Sequence, residues 1–115
     1  MQRQATSDLT EVFKALADPT RRGLFERLSR GDATVVELTA TAGVSQPAVS
    51  QHLAALAKTG LVESRKTGRN AHYRADPKKL APLIDWVSRQ DAFWRERLGR
   101  MEDLLKQLND QETER

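Results

Sequence analysis

Apolar residues recur every three or four positions in four successive stretches of the first 60 residues. This spacing is typical of amphipathic helices that bury one stripe against a core. The residues between the stretches support the same interpretation, because aspartate, serine and threonine cap helix starts and glycine follows helix ends. The four predicted helices begin near Asp8, Asp18, Thr34 and Ser45, and they end near Ala17, Gly31, Gly43 and Gly60.

After Gly60 the pattern changes to two short extended runs, residues 61–66 and 71–75, on either side of the glycine-containing segment 67–70. Two such runs around a short loop predict a β-hairpin. A long final helix is predicted from Lys78 or Lys79 to about Gln111. We therefore expect one mainly α-helical domain with a small β-hairpin. Its predicted parts are the four helices and the hairpin at 8–77, the long helix at 78–111 and a disordered tail at 112–115.

Helices 3 and 4 are joined by the four-residue turn 42–45, in which Gly43 lets the chain change direction sharply. A helix-turn-helix pair places its second helix in the major groove of DNA, with the N-terminal end towards the bases. The face of helix 4 opposite its apolar stripe carries Gln46, Ser50, Gln51 and Lys58. Glutamine can pair bidentately with adenine, serine can bond to bases or phosphates, and lysine suits a phosphate.

Positive charge is concentrated in the middle of the chain, although the net charge is only +3. Residues 45–79 carry seven basic and two acidic side chains, and the predicted hairpin contains Arg65, Lys66, Arg69 and Arg74. A basic hairpin beside a helix-turn-helix indicates a winged helix, with the tip of the wing on the DNA backbone or in the minor groove. The alternative is a surface hairpin whose charges serve only solubility.

The final helix carries a stripe spaced alternately by three and four residues, which is the a/d pattern of a coiled coil. The stripe comprises Ile84, Val87, Asp91, Trp94, Leu98, Met101, Leu105 and Leu108. A domain this small cannot cover so long a seam, so we predict a homodimer through these helices, with Val12 and Leu16 also in the interface. The alternative is packing within one monomer. Asp91 could lie at the wet edge of the seam, pair with Arg95, or pair with Arg89 across the dimer.

Several segments together resemble the ArsR family of winged-helix repressors over nearly the whole chain. They are Asp18-Pro19-Thr20-Arg21-Arg22, residues 45–56 (SQPAVSQHLAAL), Gly60-Leu61-Val62 and Arg65-Lys66-Thr67-Gly68-Arg69. The resemblance implies a homodimer that binds an imperfect palindrome, blocks transcription and is released by an inducer. It also implies base contacts from Gln46, Ser50, Gln51 and His52, and a wing at Arg65 to Asn70. We place Ser45 in the same DNA-binding set. His52 has a second open role, a structural bond to a backbone group.

The sequence departs from the metal-sensing members of that family. One class of metal site uses Cys-x-Cys ahead of Glu-Leu in helix 3, where this chain has Thr34 and Val36, and the chain has no cysteine at all. Another class uses histidine and acidic residues on the last helix, but the two histidines are His52 and His72. We expect no metal site and no cofactor, and the residues themselves indicate neither whether an inducer exists nor its chemistry. His72 is expected to lie in the wing sheet.

The predicted function is that of a sequence-specific transcriptional repressor that binds operator DNA as a homodimer. No phosphate-binding loop or metalloprotease motif is present, and Ser50 and His52 lie on different sides of a helix, so we do not expect an enzyme. No membrane span and no apolar signal segment are found, and we expect a cytoplasmic protein. The alternatives are an architectural DNA-binding protein with little sequence preference and a protein-interaction module that uses the long helix.

Overall fold

The computed structural model describes the backbone of residues 2–113 and the side chains of residues 8–113. Its elements are α1 (Gln2–Ala17), α2 (Pro19–Ser29), β1 (Ala33–Thr34), α3 (Val35–Ala42), α4 (Gln46–Lys58), β2 (Val62–Thr67), β3 (Asn70–Ala75), a 3-10 turn (Pro77–Leu80) and α5 (Ala81–Thr113). They form two compact units that meet between residues 83 and 84. The mainly α architecture with a hairpin confirms the predicted fold class.

The first unit is built around one apolar core, because the stripes of its helices face each other. On α4 the predicted stripe of Val49, Leu53 and Leu56 is completely buried. The core comprises Ala15, Leu24, Phe25, Leu28, Ala33, Leu38, Val49, Leu53, Leu56, Leu61 and Val62. Burying this stripe turns the opposite side of α4 towards solvent.

The turn between α3 and α4 has the conformation that its sequence predicts. The Thr34 hydroxyl accepts a hydrogen bond from the Glu37 N–H at 3.2 Å, and the Glu37 carboxylate accepts one from the Thr34 N–H at 3.1 Å. This reciprocal capping box satisfies donors that have no partner within the helix. Gly43 ends α3 with φ of 72°, and Ser45 caps α4 by accepting a bond from the Ala48 N–H. The helix-turn-helix is therefore fixed by local chemistry at both helix starts.

The sheet has the order β1-β3-β2 and is antiparallel throughout. The hairpin closes on the two-residue turn Gly68-Arg69, where Gly68 has a φ of 65° that favours glycine. The strand β1 was not predicted, because two residues are too short to show an alternating pattern. This strand joins the start of α3 to the wing, since Thr34 pairs with His72. His72 lies in the wing sheet, as expected.

Two arginines close the corner between α1 and α2. The last four carbonyl groups of a helix have no partner within it, and in α1 these belong to residues 14–17. Arg21 donates to the first two of these oxygens, at 3.0 and 2.6 Å. Arg22 donates to the other two, at 2.7 and 3.0 Å. The Asp-Pro-Thr-Arg-Arg segment therefore caps both helices, because Asp18 also accepts a bond from the N–H of Arg21 at the start of α2.

The second unit is the greater part of α5, a helix of 33 residues and about 50 Å in length at 1.5 Å per residue. It extends to Thr113, so residues 112 and 113 are helical rather than part of the predicted tail, and residues 114 and 115 lie outside the described chain. Asp91 pairs with Arg95 at 2.9 Å within the helix, while Arg89 pairs with Asp85. None of the helices over residues 2–113 has the length and apolar character that crossing a bilayer requires.

Candidate nucleic-acid interface

The N-terminal half of α4 presents a row of small and amide-bearing side chains to solvent. Gln46, Ser50 and Gln51 are all exposed, whereas Val49 between them is buried. Positions 46 and 50 are one helical turn apart, about 6 Å along the axis. We call Gln46, Ser50 and Gln51 the recognition row. Ser45 lies at its start and is exposed, but its hydroxyl oxygen already accepts the capping bond.

Lys58 does not join the recognition row. It is the last residue of α4, thirteen positions after Ser45, which is about 20 Å along the helix axis. Its side chain lines a surface cavity of about 570 Å³ together with Asp8 and Glu11 of α1 and Lys79. The structure therefore separates Lys58 from the predicted base contacts, and the cavity that it lines is shared by two acidic residues and two further lysines.

His52 faces the α1–α2 corner rather than the recognition row. Its Nδ1 lies 3.4 Å from Nη1 of Arg21 and 3.9 Å from Oδ2 of Asp18, and the side chain is only 23% exposed. A guanidinium has donors and no acceptor, so Nδ1 accepts from Arg21. This geometry favours the structural role that the sequence left open, although the partner is an arginine side chain instead of a backbone group.

Two carboxylates at helix starts are held in their charged form. The backbone N–H of Arg21 lowers the pKa of Asp18 below its ordinary value, and the nearby Arg21 guanidinium acts in the same direction. The backbone and side-chain bonds from Thr34 likewise lower the pKa of Glu37. Asp18 thereby stabilises the start of α2, and Glu37 stabilises the start of α3.

The strand register divides the basic residues of the wing between its two faces. Side chains of directly opposed residues share a face, so Arg65 lies with His72, while Lys66 lies with Ala71 on the face that includes the buried Val62. Arg69 occupies the turn itself. The outer half of the hairpin therefore carries positive charge on both faces and at its tip.

Arg74 belongs to the base of the wing. It lies opposite Glu63 in the register and forms an ion pair with it at 3.6 Å. It lies four positions after Asn70 at the tip, which is about 13 Å along the strand. Arg65, Lys66, Arg69 and Asn70 are thus grouped as predicted, whereas Arg74 is apart from them and its charge is balanced.

The predicted dimer residues fall into two groups. Val12 is only 3% exposed, and Leu16 is half-buried against the core, so the chain itself covers most of both side chains. This favours a core role for these two residues of α1. The members of the α5 stripe are all at least half exposed: Ile84, Val87, Trp94, Leu98, Met101, Leu105 and Leu108.

Comparison with known proteins places this geometry in a family. A helix-turn-helix domain family matches residues 16–65. The arsenical resistance operon repressor of Escherichia coli is 36% identical over 100 residues, which cover 85% of this chain and 82% of that protein. An ArsR-like transcriptional regulator from Rhodococcus sp. RHA1 is 36% identical, with a TM-score of 0.70 over 86% of this chain and 93% of that one. The chain belongs to the ArsR family.

A second ArsR-like structure extends the comparison to a dimer. The homodimeric winged helix-turn-helix domain of a possible ArsR-family regulator from Mycobacterium bovis is 27% identical, with a TM-score of 0.65. It covers 84% of this chain and 89% of that one. The ArsR-family relatives are described as transcriptional regulators and repressors, and the Mycobacterium bovis domain is described as DNA-binding.

The helix-3 positions that carry cysteines in some ArsR proteins have other roles here. The Thr34 hydroxyl is committed to the capping box, where it accepts from the Glu37 N–H and lies 3.0 Å from the Glu37 carboxylate. Val36 is 68% exposed and offers only hydrocarbon. Over the described part of the chain, no three histidine, aspartate or glutamate side chains are grouped in a way that could hold a metal ion.

Proposed function

We propose that this ArsR-family protein is a sequence-specific repressor that binds an imperfect palindrome as a homodimer, with α4 in the major groove and the wing on the backbone or in the minor groove. The observation that carries the proposal is the recognition row of Gln46, Ser50 and Gln51, exposed at the N-terminal end of α4. Transcription is blocked because the bound dimer occupies promoter DNA.

The chemistry of the row suits base recognition better than general attraction to DNA. Residues 46–57 contain no lysine or arginine, so this part of the helix has no side-chain charge for phosphates. A glutamine can bond to N6 and N7 of adenine, and such a bidentate pair discriminates against a wrong base by about 1–3 kcal/mol. The row therefore contributes preference among sequences, while most of the affinity must come from elsewhere.

The wing is the source of that affinity in this proposal. Arg65, Lys66 and Arg69 are exposed at the outer half of the hairpin and have no acidic partner across the strands, unlike Arg74. Lysine and arginine that neutralise phosphates release counterions and make binding depend on salt. Sequence preference and phosphate attraction are thus divided between two elements of the first unit.

The exposed stripe of α5 supports a homodimer. Seven large apolar side chains at a/d positions face solvent along a helix about 50 Å long. A second copy of the same helix would cover them, and the Mycobacterium bovis relative is homodimeric. Two-fold symmetry would then set two copies of α4 about 34–36 Å apart, so that each enters a successive major groove.

We also propose that induction does not use the metal chemistry of the cysteine-containing ArsR proteins. Thiolate sites need cysteine, which this sequence lacks. Thr34 and Val36 occupy the two positions in question, one within a capping box and the other with a hydrocarbon side chain. A screen for small molecules that release the protein from its DNA complex would identify an inducer.

The direct test uses a duplex selected by the wild-type protein from a random pool, and a scrambled duplex of the same composition. Fluorescence anisotropy should give an affinity ratio of about 10³ or more. Gln51→Ala should weaken binding to the selected duplex at least about tenfold, whereas Lys58→Ala, at the far end of the same helix, should preserve the ratio. Equal binding of both duplexes would indicate an architectural protein, and no binding would favour a protein-interaction module.

A further inference from the structure

Arg21 contacts two elements that lie far apart in the sequence. Its Nε and Nη2 donate to the carbonyl oxygens of Ala15 and Lys14, at 2.6 and 3.0 Å, at the end of α1. Its Nη1 lies 3.4 Å from Nδ1 of His52, which is 31 positions later and in the middle of α4. One guanidinium therefore joins the end of the first helix to the helix that carries the recognition row.

The chemistry of this contact defines the hydrogen-bonding role of one ring nitrogen of His52, Nδ1. Because arginine can only donate, a hydrogen bond between the two side chains requires Nδ1 to be the acceptor. Asp18 supports the arrangement through Arg21, since its carboxylate accepts from the backbone N–H of Arg21 at 3.0 Å. Both His52 and Asp18 are largely screened from solvent, at 23% and 32% exposed.

His52 lies at a position of α4 where a small rotation of the helix would move the recognition row. It directly follows Gln51 of the recognition row and directly precedes Leu53, which is completely buried in the core. Leu53 anchors α4 against the core by apolar packing, which has no preferred direction. A hydrogen bond from Arg21 adds a directional constraint at the next residue.

We propose that Arg21 and His52 form a clamp that sets the orientation of α4 relative to the α1–α2 corner, and that His52 is a positioning residue for base recognition, not a DNA contact. The inference deepens the proposed function and rests on it, because a helix needs precise placement only if it distinguishes sequences. The clamp predicts that its loss lowers affinity for the selected duplex and leaves affinity for scrambled DNA unchanged.

The chain contains a matched control for the arginine. Arg22 caps the other two carbonyls at the end of α1, and within the described residues its side chain forms no hydrogen bond or ion pair with α4. Lysine at either position keeps the charge but loses the planar fork. Arg21→Lys and Arg22→Lys therefore both weaken the cap of α1, and only Arg21→Lys also disturbs the contact with His52.

Two substitutions of the histidine separate positioning from DNA contact. In His52→Asn the amide oxygen can occupy the place of Nδ1, so an acceptor for Arg21 is retained. In His52→Gln the terminal amide reaches the place of Nε2, so a donor towards solvent is retained and the acceptor near Arg21 is lost. A clamp predicts that asparagine preserves function, and a direct contact through Nε2 predicts that glutamine does.

The experiment measures affinities of the full chain for the selected and scrambled duplexes by anisotropy, with a thermal melt of every variant. We expect His52→Asn to stay within about threefold of the wild type, and Arg21→Lys and His52→Gln each to lose about tenfold on the selected duplex only. The double variant Arg21→Lys/His52→Gln should be no worse than the poorer single variant, since both remove the same contact.

Three results would overturn the clamp: His52→Gln binding better than His52→Asn, additive losses in the double variant, or equal losses in Arg21→Lys and Arg22→Lys. The wild-type ratio identifies which proposal has failed. If the wild type prefers the selected duplex over the scrambled one by a large factor and the variants are unaffected, the clamp is refuted and the repressor function stands. If the wild-type affinity ratio is near one, sequence-specific binding is refuted and the clamp with it.

Discussion

Replacing Leu98 and Leu105 together by alanine should break the proposed dimer without unfolding the winged unit. The two side chains are 55% and 60% exposed in the single chain. Complete burial of a leucine side chain is worth about 1.5–3 kcal/mol, so covering its exposed half is worth about 1 kcal/mol. A symmetric dimer contains four such side chains in total. The double substitution should therefore cost about 4 kcal/mol, or about 10³-fold in the dimer dissociation constant.

The assay is sedimentation velocity over a range of concentrations, with circular dichroism to verify that the helices remain. The control is Asp103→Ala/Asp110→Ala, which has the same seven-residue spacing on the same helix at positions outside the stripe. We expect the control to dimerise as the wild type does. A dissociation constant unchanged by the leucine substitutions would refute the assignment of the stripe as the dimer seam, and so would a wild-type protein that stays monomeric at high concentration.

Three further predictions follow from the DNA-binding unit. With three basic wing residues in each of two protomers, the logarithm of the DNA association constant should fall with the logarithm of salt concentration at a slope of about −5. Arg69→Ala should make this slope shallower by about 2. Arg74→Ala should leave the slope unchanged, because Arg74 is already paired with Glu63. Thr34→Ala should lower the free energy of unfolding by about 1 kcal/mol in urea titrations, because α3 loses its cap. The double variant Asp18→Asn/Glu37→Gln should show a smaller fall in melting temperature on acidification than the wild type. Folding lowers the pKa of both carboxyl groups. Their stabilisation is therefore present above about pH 4 and is lost as the pH falls through the pKa values of the folded state.

The helices were predictable because their signals are local. The stripe of α4 repeats at helical spacing, Thr34 and Glu37 stand three residues apart as a capping box requires, and Gly43 follows α3. Each of these features is visible within about two turns of helix. The two-residue strand β1 was missed because it exists only through its pairing with Tyr73 and His72 on a distant segment.

The roles of individual charged residues were harder to predict, because they depend on what the fold brings beside them. Nothing near Arg74 in the sequence indicates its pairing with Glu63, which follows from the strand register. Lys58 has the charge expected of a phosphate contact, but it lines a cavity that it shares with Asp8 and Glu11 of α1. Only the folded structure separates such residues from the basic residues at the tip of the wing.

The α1–α2 corner shows a different limit of sequence reasoning. Arg21 and Arg22 belong to the segment that resembles ArsR proteins, but the resemblance does not indicate which groups they contact. Their partners are backbone carbonyls, which every residue has, so no pattern of side chains marks them. The contact between Arg21 and His52 is likewise visible only when α4 has been packed against the corner.

The most direct test of the whole account is the dependence of binding on half-site spacing. The selected duplex would be lengthened by about five base pairs between its half-sites, which is half a helical turn and turns one half-site to the opposite face of the DNA. A rigid homodimer that places α4 in successive major grooves predicts a fall to the affinity for scrambled DNA. An affinity unchanged by the insertion would contradict symmetric binding by two recognition helices.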